Sequence, residues 1–174
     1  LTDPTGDLIA QANGVPGFLG TLTFAVKAIV EKYSLDRMAP GDIFMTNDPF
    51  IGGGNHLSDV ALIAPIFVEN QIVAFSVNKA HWTEVGGMAA RSWTTESTGI
   101  YQEGMQFPAI LLYEAGRPFE SLNIGMGVGD IPEQVKHNRH LVSGCLSAGD
   151  LIVAVDGVGV ERLEDPLFAL AAGT

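Results

Sequence analysis

The spacing of hydrophobic residues predicts an amphipathic helix near the start of the chain. From Phe18 to Tyr33, hydrophobic side chains recur every three or four positions, which places them on one side of a helix. They are Leu19, Leu22, Val26, Ile29 and Val30. Before this segment, residues 6–12 are mostly apolar and predict a strand, and the turn-forming sequence NGVPG at residues 13–17 separates the two elements.

Two longer hydrophobic runs predict a β-hairpin. Val60–Val68 and Gln71–Asn78 are almost continuously apolar, and residues 69–70 between them (Glu-Asn) have the composition of a turn. The first run predicts a buried strand, and the second predicts another apolar strand. Shorter runs of the same kind predict two further strands, at Ile43–Thr46 and Phe107–Tyr113.

The later part of the chain predicts one more helix and one more strand. Pro132 is expected to begin a helix that runs to about Ser147, because proline favours the first helical position. The apolar residues 151–155 predict the strand. The run GMGVG at residues 125–129 mimics a dinucleotide-binding fingerprint but lacks the required strand-turn-helix spacing. Together these elements predict an α+β fold with a mixed, largely antiparallel sheet and flanking helices.

Length, charge and cysteine content narrow the class of protein. The 174 residues suit a single domain over residues 1–174, and a sequence that begins at Leu1 is expected to be a fragment of a longer chain. A formal net charge of -11 disfavours nucleic-acid binding. No hydrophobic run reaches the roughly 20 residues that cross a bilayer. The single cysteine, Cys145, cannot form an intramolecular disulfide, which fits a reducing cytoplasm.

Candidate chemistry lies beside the predicted hairpin. A loop rich in glycine and short polar residues, residues 47–59, carries His56 and Asp59, and His81 follows the second long hydrophobic run. Zinc and manganese bind neutral imidazole and carboxylate ligands, and two histidines with one carboxylate leave a coordination position for water or substrate. These three residues, called the triad below, therefore predict a divalent-metal site at the end of the hairpin.

The register of the hairpin decides whether the triad can assemble. With a two-residue turn and no irregularity, His81 lies opposite Ser58, one step away from Asp59. One extra residue, in a longer turn or in a β-bulge, brings Asp59 and His81 directly opposite each other, with Cβ atoms about 5 Å apart. We predict the bulged register, and side chains of Asp59 and His81 on opposite sheet faces would exclude the site.

Other polar and aromatic residues have weaker claims to a role. Glu103 is either a general base near the ion or a surface carboxylate. Asp48 is expected to form a turn, because its side chain can accept hydrogen bonds from nearby backbone amides. Trp82 either packs over the triad or fills the core. His137 and His140 share a helix face without a third partner, so we interpret both as facing solvent.

Three segments of the chain resemble the hydantoinase B family. They are GDIFMTNDPFIGGGNHLSDVALIAPIF, AHWTEVGGM and TTESTGIYQEGMQFPAILLYEAGRP. The family includes the B subunits of ATP-dependent N-methylhydantoinases, the C-terminal part of 5-oxoprolinases, and subunits of acetone and acetophenone carboxylases. The resemblance covers about residues 3–120, and its most specific blocks surround the triad.

The resemblance implies roles that spacing alone does not. In the family, the equivalent His, Asp and His hold zinc or manganese, which carries over to His56, Asp59 and His81. ATP is used by a separate hydantoinase A-type subunit, which phosphorylates a lactam or enol oxygen, and the activated intermediate then reacts at the B-type metal site. Members often read HHADIGG where this chain reads HWTEVGG, so Glu84 stands where aspartate is common. Glu84 would be a fourth ligand or a base beside the ion.

Three functions follow as expectations. The first is the metal-binding catalytic subunit of an ATP-dependent cyclic amide hydrolase, acting on a hydantoin, lactam or 5-oxoproline-type ring after activation by an A-type partner. The second is the metal-containing subunit of an ATP-dependent acetone or acetophenone carboxylase, acting on a ketone-derived intermediate. The third is a non-catalytic interaction subunit whose metal is structural. The YQEG and FPAILLYEAGRP segments favour the hydrolase.

Overall fold

The computed structural model describes residues 1–12, 15–83, 85–89 and 94–118, and the backbone of two short strands at 154–155 and 158–159. In chain order the elements are α1 (Pro16–Tyr33), β1 (Ile43–Thr46), β2 (Asp59–Val68), β3 (Gln71–His81), β4 (Ile110–Glu114), β5 (Arg117–Pro118), β6 (Ala154–Val155) and β7 (Val158–Gly159), with single 3₁₀ turns at Leu35–Arg37 and Ile100–Gln102. Several sequence predictions lie outside the described residues: the helix from Pro132, the run at 125–129, and the side chains of His137, His140 and Cys145.

The elements form a five-stranded sheet in the order β3-β2-β1-β4-β5. Each pair of neighbouring strands in it is antiparallel. β6 and β7 form a separate antiparallel pair, and β6 coincides with the end of the strand predicted at residues 151–155. The α+β class and the largely antiparallel sheet are confirmed, and no parallel pair occurs within the described part of the chain.

The predicted helix is confirmed as α1. It begins at Pro16, two residues earlier than the hydrophobic spacing predicted, because proline is compatible with the first turn, where backbone amides have no helical partner. It ends before Ser34, whose φ of 59° is incompatible with a continuing helix. Its buried side chains are Leu22, Ala25, Val26, Ala28 and Ile29, and they pack on β2 and β3.

The strand predicted at residues 6–12 is wrong. This segment contributes one isolated bridge, between Leu8 and Thr2, rather than a ladder. The chain folds back on itself here because Asp3 Oδ1 accepts hydrogen bonds from the backbone amides of Thr5 and Asp7, at 2.9 and 2.8 Å. A side chain that captures local amides in this way competes with strand pairing, a feature that hydrophobicity does not report.

Both faces of the sheet are buried, and the buried strand predicted at Val60–Val68 is confirmed as β2. Neighbouring residues of β1 and β2 point to opposite sides because side chains alternate along a strand. One face packs under α1, and its core includes Phe44, Ile63 and Phe75. The other face carries a second core, which includes Met45, Leu62, Val85, Trp82 and Phe107. Within the described part of the chain, the second core is covered by irregular segments that follow β3.

The hairpin of β2 and β3 has the predicted bulged register. Its turn is the two-residue one, Glu69-Asn70, and both residues have positive φ (47° and 67°), as in the hairpin turns that match strand twist. The irregularity lies beyond the turn, where Ile66 pairs with Ala74 but Phe67 pairs with Ile72, so Val73 is an extra residue. Asp59 consequently lies directly opposite His81.

The strand predicted at Phe107–Tyr113 is β4, which begins three residues later than predicted. Pro108 cannot donate to a ladder, and Ala109 has a φ of 52°, so neither continues a strand. Phe107 instead donates its amide to the side chain of Asn47. Among the described helices, none combines the length and the apolar character that a membrane span requires.

Candidate metal centre

A tight turn at Asp48 shapes the glycine-rich loop that carries His56. Asp48 Oδ1 accepts hydrogen bonds from the amides of Phe50 and Ile51, at 2.8 and 3.1 Å. Its carbonyl oxygen accepts hydrogen bonds from the amides of Gly52 and Gly54. The predicted role of Asp48 as a turn-former is therefore confirmed, and the chain is turned back toward β2.

Close backbone approaches explain the glycines of this loop. A Cβ at Gly54 would lie 2.3 Å from the carbonyl oxygen of Asn47, a distance that no side chain tolerates. Gly53 has a φ of +67°, and a Cβ there would lie 2.6 Å from Cβ of Phe24 on α1. The loop is thus pressed against both β1 and α1, which fixes where His56 emerges.

Asn47 ties the loop to the irregular chain before β4. Its side-chain nitrogen, Nδ2, donates hydrogen bonds to the carbonyl oxygens of Leu57 and Met105, at 2.7 and 2.9 Å. Its side-chain oxygen, Oδ1, accepts a hydrogen bond from the backbone amide of Phe107 at 2.6 Å. The sequence analysis missed this positioning residue, although an asparagine directly after a buried strand, at the head of the glycine-rich loop, was a signal for such a role.

The triad converges at the end of the hairpin. His81 Nδ1 lies 2.9 Å from Asp59 Oδ1, and His56 Nε2 lies 3.3 Å from the same oxygen. One potential ligand atom from each residue lies within 4.8 Å of the others. The two imidazole rings are 4.9 Å apart between centroids and inclined by 59°. Asp59 and His81 share a sheet face, so the condition that the sequence set for the site is met.

Burial differs sharply within the triad. The side chain of Asp59 is 2% exposed, whereas those of His56 and His81 are 31% and 45% exposed. The carboxylate therefore lies at the base and the two imidazoles lie toward solvent. His56 Nδ1 is buried and has no hydrogen-bond partner among the described residues. A buried polar nitrogen without a partner is costly, and coordination or solvent would satisfy it.

The donor set suits a divalent transition ion, and two separations within the triad match the dimensions of such a site. Ligand atoms about 2.0–2.2 Å from such an ion lie about 3.0–3.4 Å from adjacent ligands, and the two separations at Asp59 Oδ1 are close to that range. The same separations allow direct hydrogen bonds from His56 and His81 to Asp59. The geometry of the triad is thus compatible with a bound ion and with direct hydrogen bonds among its members.

A lysine lies beside the triad on the same face of the sheet. Lys79 is opposite Ala61 in the ladder, one pair away on that face from Asp59 and His81. Burial lowers the pKa of Lys79 from its ordinary value, and the negative charge of Asp59 acts in the opposite direction. Its Nζ donates to Thr21 Oγ1 on α1. The sequence analysis did not single out Lys79, because hydrophobic patterning gives no reason to expect a cation here.

The other candidate residues stand apart from the triad or outside the described chain. Glu103 accepts a hydrogen bond from Ser97 Oγ at 3.0 Å, within its own loop. In the part of the chain that the structure describes, no hydrogen bond or ion pair joins Glu103 to the triad. Trp82 is 2% exposed and packs in the core of the sheet's other face, so it is a core residue. Glu84 lies outside the described residues.

Sequence comparison identifies relatives. A family model described as Hydantoinase B/oxoprolinase matches residues 1–153. The chain is 34% identical over 116 residues to 5-oxoprolinase 1 of Arabidopsis thaliana, which covers 67% of this chain and 9% of that protein. It is 30% identical over 167 residues to caprolactamase subunit beta of Pseudomonas jessenii, covering 94% of this chain and 28% of that subunit. The chain thus spans only a minor part of these relatives.

Two solved structures share the fold. The ATP-dependent caprolactamase of Pseudomonas jessenii matches with a TM-score of 0.68 at 28% identity, over 78% of this chain and 25% of that one. A nucleotide-free acetone carboxylase matches with a TM-score of 0.63 over 69% of this chain and 16% of that one, and its 23% identity establishes a likeness of fold alone. By its sequence over residues 1–153, the chain belongs to the hydantoinase B/oxoprolinase family.

Proposed function

We propose that the triad binds one divalent ion, zinc or manganese, and that this chain is the metal-binding part of an ATP-dependent cyclic amide hydrolase. One observation carries the proposal: the ligand atoms of His56, Asp59 and His81 converge within 4.8 Å at the end of the hairpin. Family membership supports a metal-dependent reaction, and the likeness to caprolactamase at 28–30% identity supports a lactam or related ring as substrate.

Each residue of the triad contributes something different. Asp59 supplies a buried negative charge, which attracts a cation strongly because little solvent screens it. His56 and His81 supply neutral nitrogen donors at the solvent side, where a small molecule can approach. An ion held by these residues would polarise the carbonyl of the activated substrate and lower the pKa of its bound water.

The number and exposure of the ligands favour a catalytic ion over a structural one. Structural zinc sites are closed by four protein ligands, whereas catalytic sites keep a position for water or substrate. The described residues offer three ligands here, and one of them, His81, is 45% exposed. If Glu84 supplied a fourth ligand, the non-catalytic interaction subunit of the sequence analysis would gain support.

The ATP chemistry is assigned to a partner. The sequence contains no Gly-Lys-Ser/Thr phosphate-binding loop. As the resemblance to the hydantoinase B family implies, an A-type subunit or domain would phosphorylate the ring amide, and the activated intermediate would react at the triad in the cytoplasm. We expect this chain alone to show no ATP hydrolysis, and ATP turnover by the isolated chain would contradict the division of labour.

Glu103 and Glu84 remain proposed acid–base residues. Glu103 is half-buried and is held by Ser97, so a role at the triad requires that hydrogen bond to break when substrate binds. Glu84 follows Trp82 by two positions, directly beyond the end of β3, so it is close in sequence to His81. A side chain at either position would take a proton from bound water or give one to the leaving nitrogen.

Metal analysis tests the proposal. The purified protein is expected to hold close to one equivalent of zinc or manganese after dialysis, and the His56→Ala and His81→Ala variants are expected to lose it. His137→Ala is the matched control, since it removes a histidine that the sequence does not link to the site. A triad that can be deleted without loss of metal would overturn the proposal.

An activity assay separates hydrolysis from carboxylation. The protein is combined with its A-type partner and ATP, and hydantoins, lactams and ketones are supplied with and without bicarbonate. Ring opening that does not depend on bicarbonate supports the hydrolase. Bicarbonate-dependent consumption of a ketone would assign the carboxylase function instead, and the metal proposal would stand independently of that outcome.

A further inference from the structure

A cationic side chain, that of Lys79, lies on the same face of the sheet as the triad. Lys79 precedes His81 by two residues on β3, so both side chains leave the same face of the sheet, about 6–7 Å apart along the strand. Lys79 lies opposite Ala61 in the ladder. The small side chain of Ala61 leaves room for the longer side chains next to it on this face of the sheet. The ammonium group therefore shares its surroundings with Asp59 and the imidazoles.

Contacts from α1 hold the Lys79 ammonium in place and use one of its three N–H donors. Nζ donates to Thr21 Oγ1, and that hydroxyl donates its own proton to the carbonyl oxygen of Phe18 at 2.8 Å. Nζ also lies 5.8 Å from the centre of the Phe18 ring, within the range of a cation–π contact. An ammonium has three N–H donors, so two remain for a ligand.

No carboxylate of the described residues forms an ion pair with Lys79. Among the described residues, Lys79 has no ion pair within 4.0 Å, whereas Lys27 pairs with Asp7 at 2.9 Å. The glycine-rich loop closes on the same region, since Asn55 Nδ2 donates to the carbonyl oxygen of Gly17 at 3.3 Å. Lys79 is therefore a half-buried cation with no carboxylate partner in the described part of the chain, and it can attract an anion.

The charge around the triad favours an anionic ligand. An ion of charge 2+ with Asp59 and Lys79 would leave a net positive site in a chain of net charge -11. The start of α1, which carries no acidic residue in its first turn, adds a partial positive charge near Lys79. A positive, partly enclosed cleft concentrates small anions and orients them toward the ion.

We propose that Lys79 is an anion-binding residue of the triad site and that it holds the phosphoryl group of the small molecule bound there. The inference rests on the proposed function, in which ATP activates the substrate by phosphorylation. Lysine suits this role because its ammonium acts as a point charge toward phosphate oxygens. Asp59 and the histidines would hold the ion, and Lys79 would hold the leaving phosphate and stabilise its charge.

Phosphorus relaxation measures whether a phosphoryl group binds close to the metal ion. In the Mn²⁺-loaded protein, the ³¹P signals of inorganic phosphate and of methyl phosphate are expected to relax faster, because a bound phosphoryl group lies close to the paramagnetic ion. Saturation of the effect gives a dissociation constant for each anion. Lys79→Met is expected to weaken both by about tenfold to 100-fold, the range for a hydrogen bond to a charged group. Lys79→Arg, which keeps the charge, is expected to retain most of the binding.

Metal affinity distinguishes anion binding from a structural role. A cation near the triad repels the metal ion, so Lys79→Met is expected to bind Mn²⁺ about threefold to tenfold more tightly while it binds phosphate more weakly. Structural damage would weaken both. Thr21→Val removes the hydroxyl that orients Nζ, together with its hydrogen bond to the carbonyl oxygen of Phe18. It provides a second variant if Lys79→Met does not fold, and it is expected to weaken phosphate binding by about threefold to tenfold.

The outcomes separate this inference from the proposed function. Unchanged phosphate affinity in folded Lys79→Met would overturn the role of Lys79 while leaving the metal site intact. In the Thr21→Val protein, unchanged affinity would count against the orientation of Nζ described above. A wild-type protein that binds no Mn²⁺ or Zn²⁺ would instead overturn the proposed function itself. Faster relaxation with inorganic phosphate but not with methyl phosphate would exclude a phosphorylated substrate and leave free phosphate as the ligand.

Discussion

At the scale of single residues, Asp59 is the central residue of the triad. It is the least exposed member of the triad, and its Oδ1 lies within 3.3 Å of a nitrogen of each histidine. A buried carboxylate is unfavourable unless it is paired, so the two imidazoles or an ion must compensate its charge. Replacement by the isosteric amide therefore separates the effect of charge from that of shape.

We expect Asp59→Asn to keep the fold and to lower metal affinity by about 100-fold or more, the upper range for the loss of even an outer-shell contact. Isothermal titration with Zn²⁺ and Mn²⁺ measures the change. Asp42→Asn is a matched control, because Asp42 is also buried but accepts hydrogen bonds from the amides of Ala39 and Ala115, away from the triad. Equal losses of metal affinity in the two variants would show that the effect is not specific to the triad.

Tyr33 provides a pH-dependent test of the core under α1. Its hydroxyl accepts a hydrogen bond from the amide of Leu111 at 2.9 Å, and its ring packs against Phe44. Tyr33→Phe keeps the ring and removes the hydrogen bond, so it is expected to lower the free energy of unfolding by about 1 kcal/mol near neutral pH. Urea denaturation at a series of pH values measures the difference.

The difference is expected to shrink at alkaline pH. Burial raises the pKa of Tyr33, with the hydrogen bond from Leu111 acting in the opposite direction, so the folded state holds this proton more tightly than the unfolded state. Wild type therefore loses stability as pH rises above the ordinary tyrosine pKa of about 10, and Tyr33→Phe does not suffer this loss. A difference that grows between about pH 9 and about pH 11 would contradict this assignment.

Residue types and spacing predicted the triad, but not the residues that support it. His56, Asp59 and His81 were identified because imidazole and carboxylate groups near a hairpin end have a restricted set of uses. Asn47 and Lys79 were missed because their roles depend on partners far away in sequence: Met105 for the one and Thr21 for the other. Contacts of that separation follow from the packing of elements, which a single sequence does not report.

At the scale of elements, the β-bulge at Val73 sets the register of the site. The pairs near the turn and the pairs near the triad differ by one residue, and Val73 is the residue that makes up the difference. The sequence predicted that such a residue was needed, because Asp59 and His81 could not otherwise face each other. The position of this residue could not be predicted, because one extra hydrophobic residue does not change the pattern of a continuous hydrophobic run.

We expect deletion of Val73 to leave the triad assembled. Without it, Ile72 and Ala74 become consecutive and still pair with Phe67 and Ile66, so every residue up to His81 keeps its partner and its face. The deletion gives a regular hairpin whose metal affinity stays within about threefold of the wild type, a change below 1 kcal/mol. Metal titration and thermal unfolding of the purified variant check this.

Deletion of Asn78 is the matched comparison. A regular hairpin would then require Phe75 and Val77 to move to the opposite face, and the alternative is to displace His81 by one residue. Either route removes a core residue or a ligand, so this variant is expected to lose stability or metal. If both deletions bind metal with wild-type affinity and stability, the register does not control the site.

At the scale of the whole molecule, the pattern of hydrophobic and polar residues predicted the fold class. It did not predict what covers the second core. The continuous runs predicted a buried strand, and α1 covers one face of the sheet. The other is covered by irregular chain that includes Val85 and Phe107. Such a segment has no periodicity, so its place could not be predicted from the sequence.

The central claim, that the triad binds a catalytic divalent ion, is tested most directly by anomalous X-ray scattering from crystals of the protein grown with one equivalent of zinc or manganese. Data collected on both sides of the metal's absorption edge locate the ion without reference to the protein. We predict a single strong peak about 2.0–2.2 Å from a nitrogen of His56, a nitrogen of His81 and an oxygen of Asp59, with at least one further position taken by solvent. A metal peak elsewhere, or no peak at the triad in protein that retains metal, would contradict the account.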